Sequence, residues 1–346
     1  MIHPWVFEFL NSFVPVEPEG FDPQACAADF AWYLDLWTGF EDAGFEGVFF
    51  SEHHFAYRSL SPSPNLLVAA TAARTRRLRL GTMGNVVPFY EPWRLAEEYS
   101  MLDHLSGGRL EIGLSSGVGP REFRAVGLPE DEMRPRFAEA LDIIDAALTQ
   151  PRITHHGRFW NFDDLAVAPR PLQQPTPRRW MTGLGLPTAQ LAAQRGCCFC
   201  TGFLANERVR AVFEGLSRGG GGGRPACRPA APRAAAPGIH RRRRGDGAGA
   251  VAAEAAGPAG RDGPRAGDRR RVGAGCRRSG AWSAMRRRSA ARRRRSPSRS
   301  SRSAAASGAG HFLGYLFGGY TREQVRRSYE LWRQVIPVLR RANLEG

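Results

Sequence analysis

From Val6 to Thr201 the chain alternates short apolar runs with stretches of helical periodicity, and this alternation constrains the fold more than any single motif. Val6 to Leu10, Glu46 to Ser51, Leu78 to Met83, Leu110 to Leu114, Arg179 to Thr182 and Cys198 to Thr201 are compact and apolar, as strands covered on both faces are. Between them Cys26 to Ala43, Asn65 to Arg74, Pro92 to Leu105, Arg134 to Leu148 and Thr188 to Arg195 carry apolar residues at helical spacing. Strands separated by a helix pair in parallel, because only a crossover brings the chain back to the same end. The pattern therefore predicts a doubly wound sheet or a (β/α) barrel, and periodicity does not separate the two. In both, binding groups sit on loops following the carboxyl ends of strands.

At Ser217 the alternation stops. Residues 217–306 hold only Ile239, Val251 and Val272 among Val, Ile, Leu and Phe, beside 16 Gly and Arg clusters such as 241–244 and 292–295. Such a stretch cannot bury enough apolar surface to offset chain entropy, so it is expected to be disordered. It carries 24 Arg against four carboxylates, a net of +20, whereas the remainder has 25 Arg against 29 carboxylates, a net of −4. The formal +16 of the whole chain is thus the property of one segment. Then His311 to Phe317 reads as a strand and Thr321 to Arg341 as a capped amphipathic helix.

The expected organisation is residues 1–216 as the first strands and helices of the α/β domain, 217–306 as a low-complexity segment, and 307–346 as a final strand and helix. The chain has no lysine, the mark of a gene rich in G and C, where a shifted frame yields Arg, Ala, Gly and Pro. Residues 217–306 accordingly read as a frame-shifted stretch, in which case the product is inactive. The rival is a genuine Arg-rich insert; with Trp282 as its one aromatic, it would bind nucleic acid without specificity. No apolar run approaches the roughly 20 residues needed to span a bilayer, so a cytoplasmic protein without membrane attachment is expected. Cys197-Cys198-Phe199-Cys200 has C-x-x-C spacing but no second ligand pair and reads as a strand, so no metal site is expected.

Chemistry is concentrated behind the second strand. Ser51-Glu52-His53-His54-Phe55 falls on the carboxyl rim, where two imidazoles beside a carboxylate can supply a base, a donor and an orienting partner. In isolation such a pair is also a common packing feature. Ser115-Ser116-Gly117 follows the fourth strand, and Met83-Gly84 the third. Gly183-Leu184-Gly185-Leu186-Pro187-Thr188 precedes a helix, and its glycines, free N–H groups and helix dipole suit a phosphate. An ordinary capped loop would look the same. His155-His156 lies in a polar connection and reads as surface, and Asp103, Ser106 and Arg109 as a brace at a helix end.

The run Ala43-Gly44-Phe45-Glu46-Gly47-Val48-Phe49-Phe50-Ser51-Glu52-His53-His54-Phe55 resembles the corresponding segment of the luciferase-like flavin monooxygenases, the bacterial luciferase alpha subunit among them. The likeness continues through residues 78–88, Arg94-Leu95-Ala96-Glu97-Glu98, residues 102–109 and Phe123-Arg124-Ala125-Val126-Gly127. It covers about residues 1–215 and 308–342. The resemblance implies a (β/α)8 TIM barrel that binds reduced FMN at its carboxyl end and uses molecular oxygen to oxidise a small organic substrate. It also implies a separate flavin reductase and a homodimer. Use of a deazaflavin as a hydride carrier is the neighbouring activity of the same fold. His53 would be the catalytic histidine, with Glu52 and His54 beside it. Phe9 would lie by the flavin, and Met83 and Gly84 would run backbone against its ring. Ser115 and Ser116 would donate to the cofactor, and Gly183, Gly185 and Thr188 would hold its phosphate. Ser115 and Ser116 stand where luciferase has a reactive cysteine and an arginine, which argues against light emission.

Overall fold

The computed structural model describes residues 3–14, 17–55, 59–117, 119–218, 311–315 and 321–341. The chain begins with β1 (His3–Glu8), α1 (Pro23–Thr38), α2 (Phe40–Ala43), β2 (Gly47–Phe50), α3 (Pro64–Arg74), β3 (Arg79–Thr82) and β4 (Asn85–Val86). It continues with α4 (Pro92–Ser106), β5 (Leu110–Ser115), α5 (Pro120–Ala125), α6 (Met133–Thr149), β6 (Arg152–His156), β7 (Asn161–Ala166), β8 (Arg178–Thr182), α7 (Leu186–Gln194) and β9 (Cys198–Cys200). α8 (Asn206–Arg218), β10 (His311–Tyr315) and α9 (Arg322–Arg341) complete the described elements.

Strands β10, β1, β2, β3, β5, β8 and β9 lie side by side in that order, all parallel, and β4 pairs with β5. The order is sequential, with the last described strand beside the first. A doubly wound sheet would instead reverse direction at a switch point. Of the two architectures the periodicity allows, this is the order of a barrel wall. Among the described residues β9 and β10 end the sheet and are not paired with each other.

Both faces of the sheet are covered, which is why its strands read as continuous apolar runs. On the outer face Val6, Val48, Phe50, Leu80, Ile112 and Met181 pack in one cluster with helix residues such as Trp37, Leu95, Tyr99, Leu141 and Ile144. On the inner face Trp5, Phe49, Met83, Trp180 and Cys198 form a second cluster. Trp5 stacks on Phe49 at 4.6 Å between ring centroids, and Phe49 meets Trp180 edge to face at 5.3 Å. Glycines make room for these rings: a Cβ at Gly47 would lie 2.3 Å from the Trp5 ring, and one at Gly81 2.5 Å from the Phe49 ring. Large and small residues thus alternate across the interior, as in small barrels.

At the amino ends of the inner strands sits a buried ionic cluster. Glu111 pairs with Arg79 and lies 3.1 Å from Arg178, and its second oxygen accepts the Trp180 indole N–H at 2.7 Å. On the outer side, Glu8 ends β1 facing α1. Its carboxylate accepts the Leu10 N–H at 2.9 Å and the Trp37 indole N–H at 3.3 Å. Burial pushes its pKa up to about 7, against the lowering effect of those donors. A carboxyl whose folded pKa exceeds its unfolded one costs stability as pH rises from the unfolded to the folded value, and the full cost stands above both. Glu8→Gln removes the charge and keeps one of the two acceptor oxygens, so it should stabilise the protein by up to about 3 kcal/mol at pH 8. At pH 4 the effect should vanish; denaturant unfolding at the two pH values measures the difference.

Several expectations require correction. The helix expected over 26–43 is two, α1 and α2, divided at Gly39, and Gly44 closes the second with φ 88°. The connection containing His155 and His156 is an antiparallel hairpin, β6 with β7. His155 is tied to Glu139 at 3.2 Å, and His156 faces Asp163 at 3.0 Å. α5 and α8 were not expected, and α8 carries the ordered pattern through Ser217 to Arg218, past the expected boundary at 216. Of the low-complexity segment, residues 219–306 lie outside the described residues, as do 307–310 and Leu316 and Phe317 of the last expected strand. The brace around Asp103 is wider than expected. Its carboxylate accepts both N–H groups of Gln173 at 2.7 Å, while Arg109 donates to Ser106, Thr75, Leu78 and Ala72. Among the described residues no helix is long and apolar enough to cross a membrane, and no group of His, Cys, Asp or Glu could hold a metal ion.

Candidate active site

The loop after β2 carries Glu52, His53 and His54 past the carboxyl end of the sheet and is pinned from both sides. Ser61 accepts the His53 N–H at 3.0 Å and donates its hydroxyl to Ser51 O, while Leu60 pairs with Leu10 at 2.9 Å. This ties the β1 and β2 loops together and brings Phe9 onto His53. Their rings stack at 5.4 Å with 9° between planes. Phe203, on the loop after β9, lies 5.8 Å from Phe9 and 6.2 Å from Phe7.

The two histidines have different surroundings. His54 Nε2 lies 2.9 Å from Glu52 Oε1, and the other oxygen of Glu52 accepts the Tyr90 hydroxyl at 2.7 Å and the Asn85 amide at 3.1 Å. Tyr99 in turn donates to Asn85 at 3.0 Å. The Glu52 side chain is fully buried, so its charge is held by three donors rather than by water. The bond from Glu52 raises the pKa of His54, against the lowering effect of burial, and the charges of Glu52 and Glu122 add to the rise. Tyr90 is pushed well above the usual tyrosine range, by burial first and then by the charge of Glu52. His54 and Glu52 therefore brace one another, with Nε2 of His54 and both oxygens of Glu52 engaged.

His53 faces Glu122 of α5 instead, with Nδ1 3.8 Å from Oε1. The same oxygen accepts the His54 backbone N–H at 3.1 Å. Burial alone would raise the pKa of Glu122, but the neighbouring His53 and the His54 N–H outweigh it and hold the carboxyl below its ordinary value.

The other expected residues sit on the same rim. Met83 and Gly84 are joined by a cis peptide bond at the β3–β4 corner. A Cβ at Gly84 would come within 2.9 Å of the Leu114 backbone, so glycine is needed there for the approach of β5. Ser115 is buried and its hydroxyl accepts the Gly117 N–H at 3.1 Å; Ser116 is half-buried. Gly183 donates its N–H to Cys200 O at 3.1 Å, and a Cβ there would lie 2.6 Å from the Thr188 side chain. Gly185 caps α7, and Pro187 contributes no donor. Of that loop, Leu186 and Thr188 carry the first-turn N–H groups that no helix carbonyl can satisfy. The described contacts of this corner run among β8, α7, β9 and α8, whereas Phe9, Glu52, His53 and His54 form one cluster.

Sequence reasoning missed Glu122, Asn85, Tyr90, Tyr99 and Phe203. Asn85 was inside a motif but beyond the expected strand, which ends at Met83, and Glu122 gave no signal, since a lone carboxylate between elements is ordinary. Two buried hydroxyl oxygens, Ser51 Oγ after β2 and Thr201 Oγ1 after β9, have no hydrogen-bond partner among the described residues. Orphaned hydroxyls on a rim lined by Phe7, Phe9 and Phe203 fit a planar ligand with a polar edge, as a flavin is.

The family model described as luciferase-like monooxygenase matches residues 12–237. The chain belongs to this family. Among its relatives, the uncharacterized protein y4vJ of Sinorhizobium fredii is 42% identical over 176 residues, covering 51% of this chain and 48% of that protein. The oxygenase component of the flavin-dependent trigonelline monooxygenase of Acinetobacter baylyi is 35% identical over 156 residues, covering 44% and 43%. The oxygenating constituent of 3,6-diketocamphane monooxygenase from Pseudomonas putida, solved in complex with FMN, aligns with a TM-score of 0.56 at 20% identity. It covers 62% of this chain and 61% of that one, and shows the shared fold. The chain spans about half the length of the curated relatives it matches. In this luciferase-like monooxygenase chain the matched region takes in Glu52, His53, His54 and Glu122, but not Phe9.

Proposed function

We propose that the intact protein is a flavin-dependent monooxygenase that uses reduced FMN and molecular oxygen on a small organic substrate. The observation that carries this reading is the Phe9–His53 stack, an aromatic wall beside an imidazole that has not been drawn into the Glu52 network. Bound reduced FMN would supply the electrons that activate oxygen, chemistry no side chain here performs. The chain's own residues bind and orient. Phe7, Phe9 and Phe203 exclude water from the rim; Ser51, Thr201, Ser115 and Ser116 present hydroxyls to the polar edge of the ring. Met83 and Gly84 lie along its floor. Gly185 and Thr188 at the start of α7 hold the phosphate, with Gly183 shaping the corner. His53 moves the proton that oxygen insertion requires, while Glu52 and His54 fix the loop on which His53 stands.

The sequential strand order supports closure into an eight-stranded barrel, which needs one further strand between β9 and β10. The composition of 217–306 lacks the apolar runs that mark the other strands, which fits a frame-shifted stretch, and the nucleotide sequence read in its other frames tests that directly. A separate reductase is proposed as the electron source, because two-component relatives bear that name for their oxygenase half. A homodimer is proposed through α3 and α4, whose Leu66, Met101 and Leu105 are 70%, 51% and 62% exposed.

Anaerobic titration with reduced FMN should give saturable binding, followed by oxygen-dependent turnover once substrate is present. Binding of a reduced deazaflavin in place of FMN would move the reading to hydride transfer. Binding of neither by a frame-corrected chain would end it.

A further inference from the structure

We infer that Glu122 is a positioning residue for His53: its carboxylate faces Nδ1 and holds the imidazole proton there, so that Nε2 is the atom presented to the site. The inference rests on the proposed role of His53 and assigns a function to a group that role does not use. Glu122 is held where this can happen. Phe123, the next residue, is fully buried and lies 4.7 Å from Phe89, which in turn meets His54 edge to face at 5.4 Å. Gly117, at φ 91°, makes the turn ahead of α5, and a Cβ there would lie 2.6 Å from the Phe123 ring. The turn, the buried Phe123 and the His54 N–H bond together fix Glu122 Oε1 beside both histidines.

On its own loop His53 has His54 and Glu52, already paired with one another; β1 and the β9 loop bring Phe9 and Phe203. Arg124 of α5 is turned to Glu130 at 3.6 Å. A neutral imidazole protonates the nitrogen that faces an acceptor, and its other nitrogen becomes the lone-pair site. Glu122 Oε1 is such an acceptor on the Nδ1 side. The 3.8 Å separation is longer than a hydrogen bond and of the kind that tightens when a site is loaded.

The test is long-range nitrogen NMR of the full chain labelled with 15N-histidine, without flavin or substrate, at a pH where His53 is neutral. The unmutated protein should show His53 with its proton on Nδ1. Glu122→Ala should shift it toward the Nε2-protonated form of free imidazole, and Glu122→Gln, which restores an acceptor oxygen, should return it. An Nε2 proton in the unmutated protein, or the same tautomer in Glu122→Ala, overturns the proposal; the first needs no variant to fold. In turnover, Glu122→Ala should lower kcat roughly ten- to a hundredfold with little change in KM. If the tautomer responds to Glu122 but no flavin binds, the functional reading fails and this one stands. If flavin binds and turns over but the tautomer ignores Glu122, only this one fails.

Discussion

Replacing His53 by asparagine should lower flavin-dependent turnover by about 10²- to 10⁴-fold, the span expected for losing a positioned acid–base group. Reduced flavin should still bind within a few-fold, since Phe9 and the hydroxyls around it are untouched. The size of the effect follows from the division between the two imidazoles. His54 Nε2 is committed to Glu52, which is itself saturated by Tyr90 and Asn85. His54 therefore cannot substitute when His53 is removed, although it is the next residue. Steady-state kcat together with a binding titration checks this, and an asparagine variant retaining a tenth or more of the parent rate would falsify the assignment.

Glu111→Ala should destabilise the protein by about 3–5 kcal/mol, because it leaves two half-buried guanidinium groups and a buried indole N–H without the carboxylate they share. Arg79, Arg178 and Trp180 all converge on this fully buried carboxylate at the amino end of the sheet. The midpoint of urea unfolding gives the loss. Because the cluster lies at the opposite end from the histidines, any folded fraction should bind flavin with unchanged affinity. A shift of less than 1 kcal/mol would mean that these arginines reach water.

The parallel wall was legible from apolar runs such as Val48-Phe49-Phe50, because burial on both faces removes the alternation that marks a half-exposed strand. The β6–β7 hairpin was not. Asn161-Phe162-Asp163-Asp164-Leu165-Ala166 is largely exposed and spends its polarity on local pairs, so its composition matches a loop. The histidine loop announced itself by residue type and position. What each histidine does depended on partners distant in sequence: Glu122 is 68 residues from His54, and Asn85 is 33 from Glu52. Gly183 shows the converse, a residue type that left its partner open. Glycine in a loop before a helix suggested an open cradle, but its N–H completes the β8–β9 pairing and is not available. Only the register of the strands distinguishes those cases.

β10 pairs with β1 from His3 through Phe7, opposite the edge that β1 shares with β2. A five-residue segment more than three hundred positions downstream thus makes the strand that leads to Phe9 an interior strand. Polypeptides released before residue 311, whether by premature termination or by proteolysis, would leave that strand with one flank unzipped. The ring that stacks on His53 would then hang from a fraying margin, so the rim that carries the histidines depends on a segment far from it in sequence.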